Sequence, residues 1–441
     1  MKRLLSTGLL VASALLANNA AAQGPVGYYN PVDPATPSTL RSTLHSVIDD
    51  HIRFPYTSGS TDTWNILELA DQDPANAANI VDVYKNQSLL KQGGGVGVYD
   101  REHSWPNSYG FPNDGSTNYP YTDCHTLFLC DSSYNSSRGN TLYRDCSSGC
   151  TERVTVLTNG EGGGSGVYPG NSNWRSGTGA TGSWETWHGR RGDVARAQLY
   201  LDIRYEGGTH GTTGVAEPNL ILTNSQALIV TSSSNQPVAY MGILSELLQW
   251  HLEDPPDDRE RHRNDVVASF QTNRNPFIDH PEWVECLFVG ACSVGTGYCF
   301  GDSACPCGNL GAASEGCANS LGLGATLTAM GRASIATDTV VLTGRQMPNS
   351  SALYFQGTTQ TLTVFGDGLR CAGGAVIRLG TKTNVSGASQ YPEAGDDSIS
   401  ARGQVLAPGT RYYQCWYRNA AAFCSASTFN LTNAWTINWS A

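Results

Sequence analysis

Apolar residues recur at helical spacing at Leu40, Leu44, Val47, Ile48 and Ile52, predicting an opening helix from Leu40 to Ile52. A second helix is predicted from Val194 to Tyr205, with Ala197 and Leu201 on one face and Arg196, Tyr200 and Arg204 in a stripe on another. Leu244, Leu247, Leu248 and His251 mark a third. It stops at Asp254-Pro255-Pro256, where a capping Asp followed by Pro predicts a new helix start. Gln92 to Gly97 is a Gly-rich turn feeding a short strand at Val98-Tyr99, which delivers Glu102 and His103. Asn159 to Ser183 is rich in Gly, Ser and Asn without a period, predicting a long surface loop. After Leu287 the character changes. Charge thins, Gly is frequent, and short runs alternate: Trp435, Ile437 and Trp439 share one face, as do Tyr413, Cys415 and Tyr417. That pattern predicts a small all-β sandwich over 291–441.

Met1-Lys2-Arg3, an apolar run from Leu4 to Leu16 and the end Ala20-Ala21-Ala22 have the form of a cleavable secretory signal over 1–22. No later run is long enough to span a membrane, so an exported protein, secreted or periplasmic, without membrane insertion is expected. The 13 cysteines then argue for disulfides, with an odd sulfur left over. Gly-rich turn formers around Cys305-Pro306-Cys307 argue against a zinc site there. The formal charge of -11 looks wrong for an enzyme that grips phosphate. Arg190, Arg191, Arg196 and Arg204, and then Arg259, Arg261, Arg263 and Arg274, cluster in sequence, and a local basic cleft on an acidic body is the expectation.

Arg101-Glu102-His103-Ser104-Trp105-Pro106 sets a carboxylate beside an imidazole, and Asn135-Ser136-Ser137-Arg138-Gly139-Asn140 follows about thirty residues later. Together they supply a hard oxygen ligand, a base that titrates near neutrality and donors for phosphate, the parts of metal-assisted phosphodiester hydrolysis. With flanking Tyr99-Asp100 and Asn107-Ser108-Tyr109-Gly110, the first stretch resembles the first block of the endonuclease I family of secreted bacterial nucleases. Thr122-Asp123-Cys124-His125-Thr126-Leu127-Phe128, running on to Asn140, is similar to the second block. Gly192 to Tyr205 resembles the third, and Asn264 to Asp279 the fourth. The resemblance covers Tyr28 to Cys286. Thr126 departs from the His or Asn that many relatives carry there.

The resemblance implies an α+β fold: a His-Me finger (ββα-metal) nuclease domain with mainly helical surroundings over 23–290. It also implies a DNA endonuclease, with RNA as a further substrate, that leaves 5′-phosphate and 3′-hydroxyl ends. His103 is the expected general base. Glu102 and Asn135 are the expected ligands of one divalent ion, magnesium by its preference for hard oxygens and retained waters. Arg138, Asn140, Arg101 and Arg274 are the expected substrate-binding residues. An ion pair inside the helix is the alternative for Arg138, and a salt bridge to Arg101 the alternative for Glu102. An RNA-restricted enzyme of the same fold, or a surface-binding protein with an inactive nuclease domain, are the rival readings. The partner of the C-terminal part stays unidentified at this point.

Overall fold

The computed structural model describes residues 24–441 except 26, 35, 95, 96 and 422, so the expected signal segment lies outside the described residues. Helix α1 (Pro37–Ile48) opens on a Thr36 capping box and buries Leu40, Leu44 and Ile48, as its spacing predicts. Helix α2 (Thr63–Ala70) is capped by Asp62. A small antiparallel sheet follows, formed by β1 (Gln72–Asp73), β2 (Asn76–Val81) and β3 (Ser88–Leu90).

Strand β4 (Tyr99–His103) pairs antiparallel with β5 (Leu127–Asp131), setting Glu102 opposite Phe128 and His103 opposite Leu127. Helix α3 (Ser132–Arg138) leaves the end of β5 directly, because Asp131 accepts bonds from the amides of Ser133 and Tyr134 at its start. Both faces of this hairpin are covered. Tyr99, Leu127 and Leu129 pack with Ile66, Leu67 and Val267, while Phe128 and Cys130 belong to the main core.

Between 159 and 183 the expected loop gives way to structure: β7 (Asn173–Ser176) lies between β6 (Thr151–Arg153) and β8 (Ser183–Glu185). Asn173 and Trp174 are buried there, although Gly and Ser dominate the surrounding composition. Helix α4 (Arg191–Arg204) is buried on every side from Gly192 onward, so it shows little amphipathic contrast. Two short parallel strands, β9 (Asn219–Leu222) and β10 (Val238–Met241), precede α5 (Leu244–Glu253) and α6 (Asp258–Gln271). Asp254 is the C-cap of α5, and it is Asp257, not Asp254, whose side chain caps α6.

From Thr296 onward the described elements are strands, apart from a one-turn helix at Ile399–Arg402. A sheet in the order Thr296–Tyr298, Ala434–Trp439, Gly409–Arg418, Ser351–Gly357, Ile377–Thr383 is antiparallel throughout. A second sheet contains Thr326–Met330, Val341–Arg345 and Ser389–Tyr391, and Leu327, Leu342, Tyr354, Tyr413, Ile437 and Trp439 share the core beneath them.

Five disulfides form, Cys146–Cys150, Cys286–Cys292, Cys299–Cys371, Cys305–Cys317 and Cys307–Cys424. Cys305 and Cys307 thus sit in separate disulfides. Not one but three cysteines, Cys124, Cys130 and Cys415, are unpaired, all in buried positions. No helix among the described residues is long and apolar enough to cross a membrane.

Candidate active site

Successive side chains on a strand point to opposite faces, and β4 uses this to separate two kinds of chemistry. Asp100 and Glu102 face α3; Arg101 and His103 face away from it, toward Tyr56. Glu102 is buried. Its Oε1 accepts from the hydroxyl of Tyr84 at 2.7 Å and pairs with the Arg138 guanidinium at 2.9 Å. Burial raises the Glu102 carboxyl above its ordinary range, with the Arg138 charge and the Tyr84 hydrogen bond pulling it back down.

Tyr84 reaches Glu102 because the turn between β2 and β3 is docked on β5: the amide of Val83 donates to the Leu129 carbonyl at 3.0 Å. Buried Asp82 closes that turn by accepting from the amides of Lys85 and Gln87. Tyr84 and Tyr143 share a hydroxyl–hydroxyl bond of 2.7 Å, and Tyr143 is held by a bridge to Trp184 of β8.

His103 is half-buried. Its Nε2 lies 2.9 Å from the Tyr121 carbonyl. A carbonyl can only accept, so Nε2 carries the proton and Nδ1 keeps its lone pair. Burial pushes the imidazole down to about 4, opposed by the Tyr121 hydrogen bond and helped by the charges of Arg101 and Arg138. The ring is therefore neutral at ordinary pH. It stacks on Tyr56 with 5.8 Å between centroids and meets Tyr121 edge-on at 4.8 Å. The carbonyl that orients it belongs to a pinned loop: Trp105 donates to the Tyr109 carbonyl, and Asn118 donates to the carbonyls of Phe111 and Asn113. Thr126, the departure from the family pattern, closes the Asp123 turn through its hydroxyl.

Asn135 is half-buried on α3, and its amide nitrogen donates to Asp100 Oδ2 at 3.4 Å. Asp100 in turn presses electrostatically on Glu102. One side of β4 thus gathers two carboxylates and an amide, a hard-oxygen set suited to a magnesium-like cation. Among the described residues no three His, Cys, Asp or Glu side chains converge as a metal cluster. A site of few protein ligands, completed by water, is the kind these residues fit.

The arginines expected at phosphate stand elsewhere. Arg138 is buried, donating to the carbonyls of His103 at 3.0 Å and Ser104 at 2.8 Å besides pairing with Glu102. Arg101 donates to the Tyr56 carbonyl and to the hydroxyls of Thr63 and Thr57, between the rings of Tyr56 and Trp64. Arg274 is buried against Asp279 and Asp265, beside the segment carrying Tyr28 and Tyr29. Asn140 is half-buried just past α3, with the Tyr109 hydroxyl on its carbonyl.

The expected basic cleft also gives way. Arg190 pairs with Asp193, Arg191 with Glu185 and Glu253, Arg196 with Glu260, Arg204 with Glu217 and Asp49, Arg259 with Glu161 and Arg263 with Asp71. Arg190, Arg196, Arg204 and Arg263 are buried in these pairs, whereas Arg259 and Arg261 pair at the surface with Glu161 and Asp258. The acids on Arg196 and Arg263 arrive from distant segments, whereas Asp193 and Asp258 sit within one turn of their arginines. Three neighbours of the site escaped the sequence reading. Strand alternation alone could have nominated Asp100, two residues before Glu102, whereas no sequence signal points to Tyr84 or Tyr143.

The profile of the endonuclease I family matches residues 36–282, a span that holds every residue just described around Glu102 and His103. The chain belongs to the endonuclease I family. It is similar to the extracellular ribonuclease of Bacillus subtilis (strain 168), with 37% identity over 261 residues covering 58% of this chain and 77% of the relative. The extracellular ribonuclease of Bacillus amyloliquefaciens is 36% identical over 261 residues, 58% of this chain and 76% of that protein. Membership of the family makes this a nuclease, with nucleic acid as its substrate, and extracellular relatives together with disulfides agree with export.

Proposed function

We propose that β4, β5 and α3 act as a ββα-metal finger that hydrolyses phosphodiester bonds with one divalent ion, magnesium by preference. Glu102 and Asn135 are its protein ligands in this reading, with Asp100 beside them. When bound, the ion would lend positive charge to the phosphate and to the departing 3′ oxygen. His103 takes a proton from the attacking water at Nδ1. The Tyr121 carbonyl holds the ring in the required tautomer, and burial keeps it uncharged and ready to accept. Attack on phosphorus breaks the bond to the 3′ oxygen, which takes a proton from solvent, and leaves 5′-phosphate and 3′-hydroxyl ends. The observation that carries this reading is the pair itself: adjacent residues on opposite faces of one strand, a carboxylate set among oxygens and a neutral, oriented imidazole.

The substrate reading is RNA together with DNA. RNA is favoured by the names of the two similar extracellular ribonucleases, whose alignments cover most of each relative. The test is digestion of single-stranded RNA, single-stranded DNA and plasmid DNA, each with magnesium and with EDTA. Cleavage of RNA that EDTA stops is the expected result. Cleavage of DNA alone would reverse the substrate order, and no cleavage of any of the three would support an inactive nuclease domain.

A further inference from the structure

Arg138 stands at the centre of a closed ring of buried side chains. Its guanidinium pairs with Glu102 at 2.9 Å, Glu102 accepts from Tyr84 at 2.7 Å, and Tyr84 bonds Tyr143 at 2.7 Å. The guanidinium carbon then lies 4.5 Å from the centre of the Tyr143 ring, which closes the circle. The four residues come from the turn after β2, from β4, from the end of α3 and from the segment that follows it, and each is at most 3% exposed. Arg138 also donates to the carbonyls of His103 and Ser104, so one planar group touches the proposed metal ligand and the backbone of the proposed base.

We propose that Arg138 is a positioning residue rather than a phosphate ligand: it fixes the Glu102 carboxylate for the ion and the end of β4 for His103, with Tyr84 as its auxiliary. This rests on the metal site proposed above. Both hydrogen-bonding partners of the carboxylate go to Oε1, which leaves the second oxygen for the cation. A fully buried guanidinium could reach a phosphate only by abandoning two carbonyls and a carboxylate, each then left unpaired.

The experiment is Mn2+ binding to the substrate-free protein, followed by electron paramagnetic resonance, alongside steady-state cleavage of an RNA oligonucleotide. Arg138→Met should weaken Mn2+ binding about ten-fold or more and lower kcat, with KM for the oligonucleotide within about three-fold. Tyr84→Phe, the milder change should Arg138→Met not fold, should weaken Mn2+ binding several-fold. Unchanged Mn2+ affinity in both variants would overturn the proposal. So would a raised KM with a salt slope reduced by about one, the mark of a lost phosphate contact. Glu102→Gln tests the underlying reading separately: if it leaves Mn2+ binding intact, the metal site itself is misplaced.

Discussion

Within the family-matched region Arg138, Arg190, Arg196, Arg204, Arg263 and Arg274 are all buried, each against a carboxylate from another turn or segment. In the strand-rich region that follows, the internal ion pair among the described residues is Lys382 with Glu393 and Asp396. That region is closed instead by strand ladders and by disulfides spanning 72, 12 and 117 residues, whereas Cys146–Cys150 in the matched region and Cys286–Cys292 just past it span only 4 and 6. The difference separates two uses of the interior. Buried ion pairs are weak contributors to net stability but fix where each partner stands. A long disulfide loop constrains the unfolded chain without placing any reactive group. Chemistry therefore belongs to the first region and covalent closure to the second.

The largest effect that would break this division is loss of the metal ligand. Glu102→Ala should lower cleavage by about 10²-fold or more, with excess magnesium restoring part of it while Asn135 remains. Cleavage assays titrated with magnesium check this, and an unchanged rate would remove Glu102 from the chemistry.

Next in size is a stability effect confined to the second region. Cys307→Ser opens the longest disulfide loop and should cost about 2–5 kcal/mol there, leaving the cleavage rate of the folded protein unchanged. Calorimetry with two resolved transitions checks it.

Acid should sharpen the contrast by a smaller amount. Burial pushes His51 and His251 down to about 3, and His103 and His125 to about 4. Unfolded, these rings take up a proton near about 6.5, so their contribution is complete above that pH and is lost as pH falls towards about 3. Each ring kept neutral in the fold while the unfolded chain takes up its proton lowers stability by about 1.4 kcal/mol per pH unit below about 6.5. No histidine occurs beyond His280, so the second region should change less over the same range. Denaturant melts at stepped pH measure both.

The smallest expected effect is that of removing the second region. A chain ending at Val294 should cleave nucleic acid within several-fold of the full protein, since no proposed catalytic residue lies beyond it. Met330 packs on the first core and Arg332 meets Glu285 at 3.6 Å, so some loss of stability accompanies the cut. A chain that folds by circular dichroism yet does not cleave would show that the second region completes the site.

Much of the site's frame was legible because it is local. The Glu102-His103 pair, the alternation that separates them and the helix bearing Asn135 lie within one ββα stretch. The helices near 37–48, 191–204 and 244–253 announced themselves by spacing or by family resemblance. What escaped was non-local. Tyr84 and Tyr143 meet Glu102 and Arg138 only after the β2–β3 turn docks on β5 and Trp184 pairs with Tyr143. The arginine clusters looked like a basic cleft because Glu217, Glu260 and Asp71, which neutralise them, come from other segments. Strand β7 hid in Gly- and Ser-rich sequence because its ladder depends on partners at 151–153 and 183–185, not on its own propensity.

In the proposed nuclease finger His103, held neutral by burial and aimed by the Tyr121 carbonyl, is the base. The most direct measurement is the cleavage rate of His103→Ala on RNA and DNA at saturating magnesium, beside its thermal melt. Turnover should fall by about 10²-fold or more with the melt and substrate binding retained; near wild-type turnover in a folded variant would remove His103 from the chemistry.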